Sequence, residues 1–135
     1  MTAGYSGTPL AAKLGVKPES DVRLVGAPEA FDGLLAPLPD GVRVRRRGAL
    51  AADVVVFFTT YRADLAKRIE ELGRAVFPAA SLWVAWPKKA SGVPTDMTED
   101  VVREVALPLG LVDNKVCAVD DTWSGLRLVW RKEHR

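Results

Sequence analysis

A chain of 135 residues, 48% apolar and 27% charged, is long enough for one domain that buries roughly two-thirds of its surface. Its net charge of +2 is too small to imply nucleic-acid binding by itself. No apolar run approaches the ~20 residues of a membrane-spanning helix.

In chain order, residues 1–8 read as a lead-in, "MTAGYSGT". They lack the basic region and apolar run of a signal peptide, so the expected location is cytoplasmic. Thr8 and Pro9 have the pattern of an N-cap followed by proline at the first helical position, opening a short helix through Leu14. Val22 to Val25 is the first predicted strand, ending at Gly26, and Pro28 to Leu35 a short helix stopped by "PLPDG". Val42 to Arg46 is the second strand, with arginines alternating against valines. Asp53 to Phe58 is an apolar run of the kind expected for a strand covered on both faces. Arg62 to Val76 follows, with Leu65, Ile69, Leu72 and Val76 on one stripe of an amphipathic helix. Leu82 to Trp86 is the fourth strand, and Met97 to Ala106 a helix ending before Pro108. Val112 to Val119 and Leu126 to Trp130 are separated by a short turn and predict an antiparallel hairpin.

Strands alternating with helices point to one α/β domain over residues 1–135, a three-layer sandwich. Right-handed crossovers make the early strands parallel. The expected order across the six-stranded sheet is second, first, third, fourth, sixth, fifth, with the sixth antiparallel to the fourth. This is the outline of a Rossmann-like, methyltransferase-like sheet ending in a reversed hairpin.

The strings "GYSGTPLAAKLG", "WVAWPKKASG" and "TDMTEDVVREVALPLGLVDNKVCAVDDTWSGLRLVWRK" resemble a family of short bacterial proteins classed as a domain of unknown function. The resemblance covers nearly the whole chain, with only a pattern match from about Glu29 to Ala52. It implies the same methyltransferase-like fold, and it implies no activity, substrate or cofactor.

Several chemistries are excluded or weakened by residue inventory. The single histidine, His134, lies beside the chain end, where disorder is common, which removes Ser-His-Asp and Cys-His catalysis. The single Cys117 lies in "VCAV" and reads as a small buried hydrophobe, so there is no thiolate metal cluster. Binding of S-adenosylmethionine or a dinucleotide needs a glycine-rich turn after the first strand and an acid after the second. The chain offers "VGAPEAF", with Gly26 alone, and "VRVRRRG". Neither signature is met, so no cofactor and no metal are expected.

The most promising candidate site is the carboxyl edge of the sheet, where open α/β sheets bind ligands. Lys88, Lys89, Ser91 and Gly92 leave the fourth strand there, and Thr59, Thr60 and Tyr61 leave the third. Ammonium groups, hydroxyls and a permissive glycine suit a phosphate or carboxylate, while a plain solvated loop explains the same residues. Arg43, Arg45 and Arg47 share a face that either protects an exposed edge strand or contacts an anion. Without interleaved aromatics for base stacking, nucleic-acid binding through it is weak at most. Asp96 and Glu99 read as a capping box, and Asp120 and Asp121 as turn formers. Trp83, Trp86, Trp123 and Trp130 read as core, with Trp86 and Trp123 nearest strand or turn ends. The lead-in is either a tail or a lid bearing Tyr5, Ser6 and Thr8.

The leading expectation is a non-catalytic protein that binds an anionic small molecule or a protein partner at the carboxyl edge. The alternatives are an atypical S-adenosylmethionine-dependent methyltransferase and weak nucleic-acid binding through the arginine strand.

Overall fold

The computed structural model describes residues 8–135; Tyr5 and Ser6 lie outside them. Six strands form one sheet: β1 (Asp21–Val25), β2 (Arg43–Arg45), β3 (Val54–Phe58), β4 (Ser81–Pro87), β5 (Leu111–Ala118) and β6 (Trp123–Trp130). Their order is β2-β1-β3-β4-β6-β5. β1 to β4 are parallel, and β6 is antiparallel to both β4 and β5. Both the order and the reversed hairpin match the expectation.

The helices are α1 (Leu10–Lys13), α2 (Phe31–Leu34), α3 (Arg62–Val76) and α4 (Glu99–Ala106). β3 and β4 are buried at every residue, because both faces are covered and each face of the pleat must be apolar. On one face, Leu65, Ile69, Leu72 and Val76 of α3 and Val102 and Ala106 of α4 pack on Val55, Phe57, Leu82 and Val84. On the other, Ala11, Leu14, Phe31 and Leu35 pack on Val22, Leu24, Val54, Val56 and Trp83. Trp83 is fully buried, and its indole N–H donates to Leu14 O at 2.9 Å, which gives the buried donor its partner.

Local details differ from the sequence reading at the helix starts. Pro9, not Thr8, is the residue before α1, so proline precedes the helix rather than opening it. α2 is only four residues long, since Pro28 and Glu29 belong to the turn after β1. The N-cap of α4 is Thr98, whose hydroxyl accepts the Val101 N–H at 3.1 Å. Asp96 is therefore not that cap. Its Oδ1 accepts the Arg62 N–H at the start of α3 at 2.7 Å, so one acid closes a different helix. Glu99, with Asp100 and Asp113, instead binds Arg103 and ties α4 to β5.

Trp86 is buried, while Trp123 and Trp130 are half-buried. Trp130 donates its indole N–H to Gly73 O at 2.8 Å. His134 belongs to a short 3-10 turn and stands edge-to-face to Trp130 at 6.2 Å, so this end of the chain is packed rather than loose. Cys117 is half-buried rather than buried; burial, the larger influence on its thiol, raises the pKa and holds it un-ionised. No described helix is long and apolar enough to cross a membrane.

Candidate functional site at the carboxyl edge

The turn after β1 is built on Gly26, which has φ +69°. A Cβ there would stand 3.0 Å from Phe58 O, so glycine is required both by conformation and by the close approach of the neighbouring strand. β2 ends one residue before Arg46, and the Arg46 side chain reaches across to this turn. Nη1 donates to Ala27 O at 2.9 Å and Nη2 to Pro28 O at 2.8 Å. The same guanidinium pairs with Asp32 of α2.

This arrangement is informative because ribose-binding sheets place an acid after β2. Here a cation occupies that position and closes on the turn itself. With Arg46 seated, the turn does not fit S-adenosylmethionine: one glycine is present, the acid is replaced, and the turn carbonyls are already engaged. The clasp is a surface one, with Arg46 and Asp32 side chains 35% and 52% exposed. Such a pair contributes about 1 kcal/mol or less, so it is easily opened. Behind the turn, Phe31 and Phe58 meet edge-to-face at 4.9 Å, and Phe58 and Trp123 at 5.1 Å. These rings carry the apolar layer across the ends of β3 and β6.

At the end of β3, Thr59 is buried and its hydroxyl is used locally. It accepts the Tyr61 N–H at 3.2 Å and donates to Tyr61 O at 3.1 Å. Thr60 O accepts the Thr95 hydroxyl. Tyr61 is 49% exposed and precedes α3, whose first N–H goes to Asp96. The segment from Lys88 to Asp96 is thus a strap fastened to the hairpin turn through Lys88 N–H on Thr122 O at 2.7 Å and to the end of β3 through Thr95.

Within the strap, the Ser91 hydroxyl donates to Lys88 O at 2.7 Å and accepts the Val93 N–H at 3.2 Å. Gly92 has φ +78° with open space on its Cα. Lys88 is half-buried and Lys89 exposed, and neither ammonium has a hydrogen-bond or ion-pair partner among the described residues. The structure therefore brings the predicted residues to one edge. Of the hydroxyls, those of Thr59 and Ser91 serve the turns themselves.

The arginine strand is an edge strand, as expected, but it is not a free basic face. Arg45 binds Asp21 at 2.8 Å and the carbonyls of Arg47, Ala49 and Ala51. The Asp21 carboxyl is held below its ordinary range by that hydrogen bond, against the opposing effect of burial. Arg43 and Arg47 remain exposed. Asp120 forms its turn as expected, with Oδ1 accepting the N–H groups of Thr122 and Trp123. Among the described residues no group of three or more His, Cys, Asp or Glu could hold a metal ion.

No family model matches the chain, and no curated protein matches it. Solved structures do. An S-adenosylmethionine-dependent methyltransferase from Aquifex aeolicus aligns over 88% of this chain and 86% of its own, with a TM-score of 0.59 and 16% identity. The O-methyltransferase NcsB1 from neocarzinostatin biosynthesis, solved with S-adenosylmethionine and a naphthoic acid, aligns over 93% of this chain and 51% of its own, with a TM-score of 0.65 and 11% identity. DhpI in complex with SAH aligns over 91% and 81%, with a TM-score of 0.56 and 14% identity. The chain has the methyltransferase-like α/β fold. It spans about half the length of NcsB1.

Proposed function

We propose that this chain is an atypical S-adenosylmethionine-dependent methyltransferase whose cofactor turn is closed, without ligand, by Arg46. The observation that supports this over a plain binding protein is the likeness over most of the chain to methyltransferases, one of them solved with S-adenosylmethionine, and to DhpI, solved with SAH. That likeness reverses the order of preference reached from the sequence.

The residues explain how such a site differs from the usual one. Arg46 holds Ala27 O, Pro28 O and Asp32. Its withdrawal uncovers the turn around Gly26 and frees Asp32, a carboxylate standing beside the turn where β2 supplies none. A binding-competent form present only in part lowers apparent affinity by its fraction. Weak binding by the wild type is the consequence.

Calorimetry with S-adenosylmethionine and its demethylated product tests this. Arg46→Ala should bind severalfold tighter than the wild type, and adding Asp32→Asn should remove the gain. Absence of binding to a folded Arg46→Ala protein ends the proposal.

A second reading has its own support. The Lys88 and Lys89 ammonium groups carry uncompensated charge at the same edge, which suits a non-catalytic role binding an anionic small molecule or the acidic surface of a protein partner.

A further inference from the structure

At the opposite, amino edge of the sheet lies a cavity of about 740 Å³, between the start of β1, the starts of β3 and β4, and the α3–β4 connection. Its walls include Gly15, Lys17, Ser20, Phe77, Pro78 and Arg127. None of the residues at the carboxyl edge belongs to it, and the methyltransferase reading makes no use of it. We propose that this cavity is a second binding site, one that holds the carboxylate or phosphate of a small organic anion on Arg127 and its apolar body against Phe77 and Pro78.

The argument starts from Arg127. It lies on β6 in register with Trp83 of β4 and Lys115 of β5, and it points to the face covered by α1. Its Nε is shut away from solvent with no hydrogen-bond partner, and its Nη groups have no acid or carbonyl partner among the described residues. A Cβ on Gly15 would lie 4.0 Å from Nη2, so the guanidinium end reaches the cavity wall at Gly15. A half-buried arginine with no anion costs desolvation free energy that the protein leaves uncompensated. Lys115, its register neighbour, is also a cation, with Nζ donating to Lys13 O at 2.9 Å.

The acids around the cavity do not pair with Arg127. Asp21 is bound to Arg45. Asp53 Oδ2 accepts the Asp21 N–H at 2.8 Å. The Glu19 carboxylate lies against Gly41, in the place that a Cβ there would take. Glu19 holds this position with φ +67°, a strained conformation for a residue with a Cβ. None of the three acids pairs with Arg127: Glu19 and Asp53 keep their own charge on the cavity wall, and the guanidinium keeps its donors for a ligand. Arginine presents paired donors that match the oxygens of a carboxylate or phosphate. Phe77, which also lines the cavity, is 49% exposed with one edge of its ring against Trp130, and it supplies the cavity's apolar surface.

The probes are benzoate, phenyl phosphate and inorganic phosphate, each against sodium chloride at matched ionic strength. At least one organic anion should raise the melting temperature of the wild type, because a ligand that binds only the native state stabilises it by mass action. Arg127→Met should lose that rise. A response to benzoate alone identifies a carboxylate site, and a response to both phosphates a phosphate site. In amide NMR spectra of the wild type, the peaks of Gly15, Ser20, Ala52 and Ala80 should shift on titration, and this decides the matter if Arg127→Met does not fold. No response beyond chloride, an equal response in a folded Arg127→Met protein, or shifts confined to the carboxyl edge would each overturn the proposal.

Discussion

The Asp96 carboxylate accepts the backbone N–H of Arg62 at 2.7 Å, across 34 positions of sequence. The bond joins the strap over the carboxyl edge to the first turn of α3. It satisfies one of the donors that every helix start leaves open and sets a negative charge against the positive end of the helix dipole. Thr98, two residues on, satisfies a donor at the start of α4 in the same way, without a charge.

Asp96→Ala should therefore lower stability by about 0.5–2 kcal/mol through α3, and Thr98→Ala by a similar amount through α4. Asp96→Asn retains an acceptor and should retain most of the stability. Urea denaturation followed by circular dichroism measures all three. An Asp96→Ala midpoint equal to that of the wild type would show that the carboxylate does not cap α3.

The Asp21–Arg45 pair makes stability depend on acid. The folded pKa of Asp21 lies below its ordinary value of 3.8, with the Arg45 hydrogen bond as the main cause. A depressed folded pKa means that the carboxylate's contribution is complete above the unfolded value and is lost as pH falls through the folded one. Asp21→Asn should destabilise by about 1 kcal/mol at neutral pH, the pair being partly exposed. The difference between wild type and variant should shrink as pH drops below about 4. Thermal melts across that range check it, and a difference independent of pH would mean that the charge is irrelevant.

For the Lys88 and Lys89 reading, the double variant Lys88→Ala, Lys89→Ala should fold with an unchanged melting temperature. Neither ammonium has a hydrogen-bond or ion-pair partner among the described residues to lose. Any rise in melting temperature of the wild type with phosphate, nucleotides or small carboxylates that arises at this edge should vanish in the variant. If the variant responds as the wild type does, these lysines only keep the strap solvated.

Much of the fold was legible because apolar patterning carries it. The unbroken run Val54–Phe58 can be satisfied only between two covered faces, and the stripe Leu65, Ile69, Leu72, Val76 only on a helix. Alternation of strands and helices with right-handed crossovers then leaves few sheet orders, and the observed one is among them. Gly26 was also legible, as the lone glycine of a turn that had lost the cofactor pattern.

What the sequence did not disclose were partners brought together by the tertiary structure. Asp96 and Glu99 have the spacing of a capping box, yet Asp96 closes another helix, because the strap after β4 is carried to the start of α3 before α4 begins. Arg46 had no reading of its own beyond ending the second strand. Its role as a clasp on Ala27 and Pro28 exists only because β2 lies beside β1 and ends two residues short of it, within side-chain reach of that turn. Arg127 carries no local signal at all, since its isolation depends on where Asp21 and Asp53 spend their hydrogen bonds and on the Glu19 carboxylate lying against Gly41. Local patterning determined the elements of this protein and their layering, for burial of apolar surface is roughly additive along the chain. The pairing of its charges was decided only by the folded structure, because a charge is satisfied by geometry between segments that sequence order does not make neighbours.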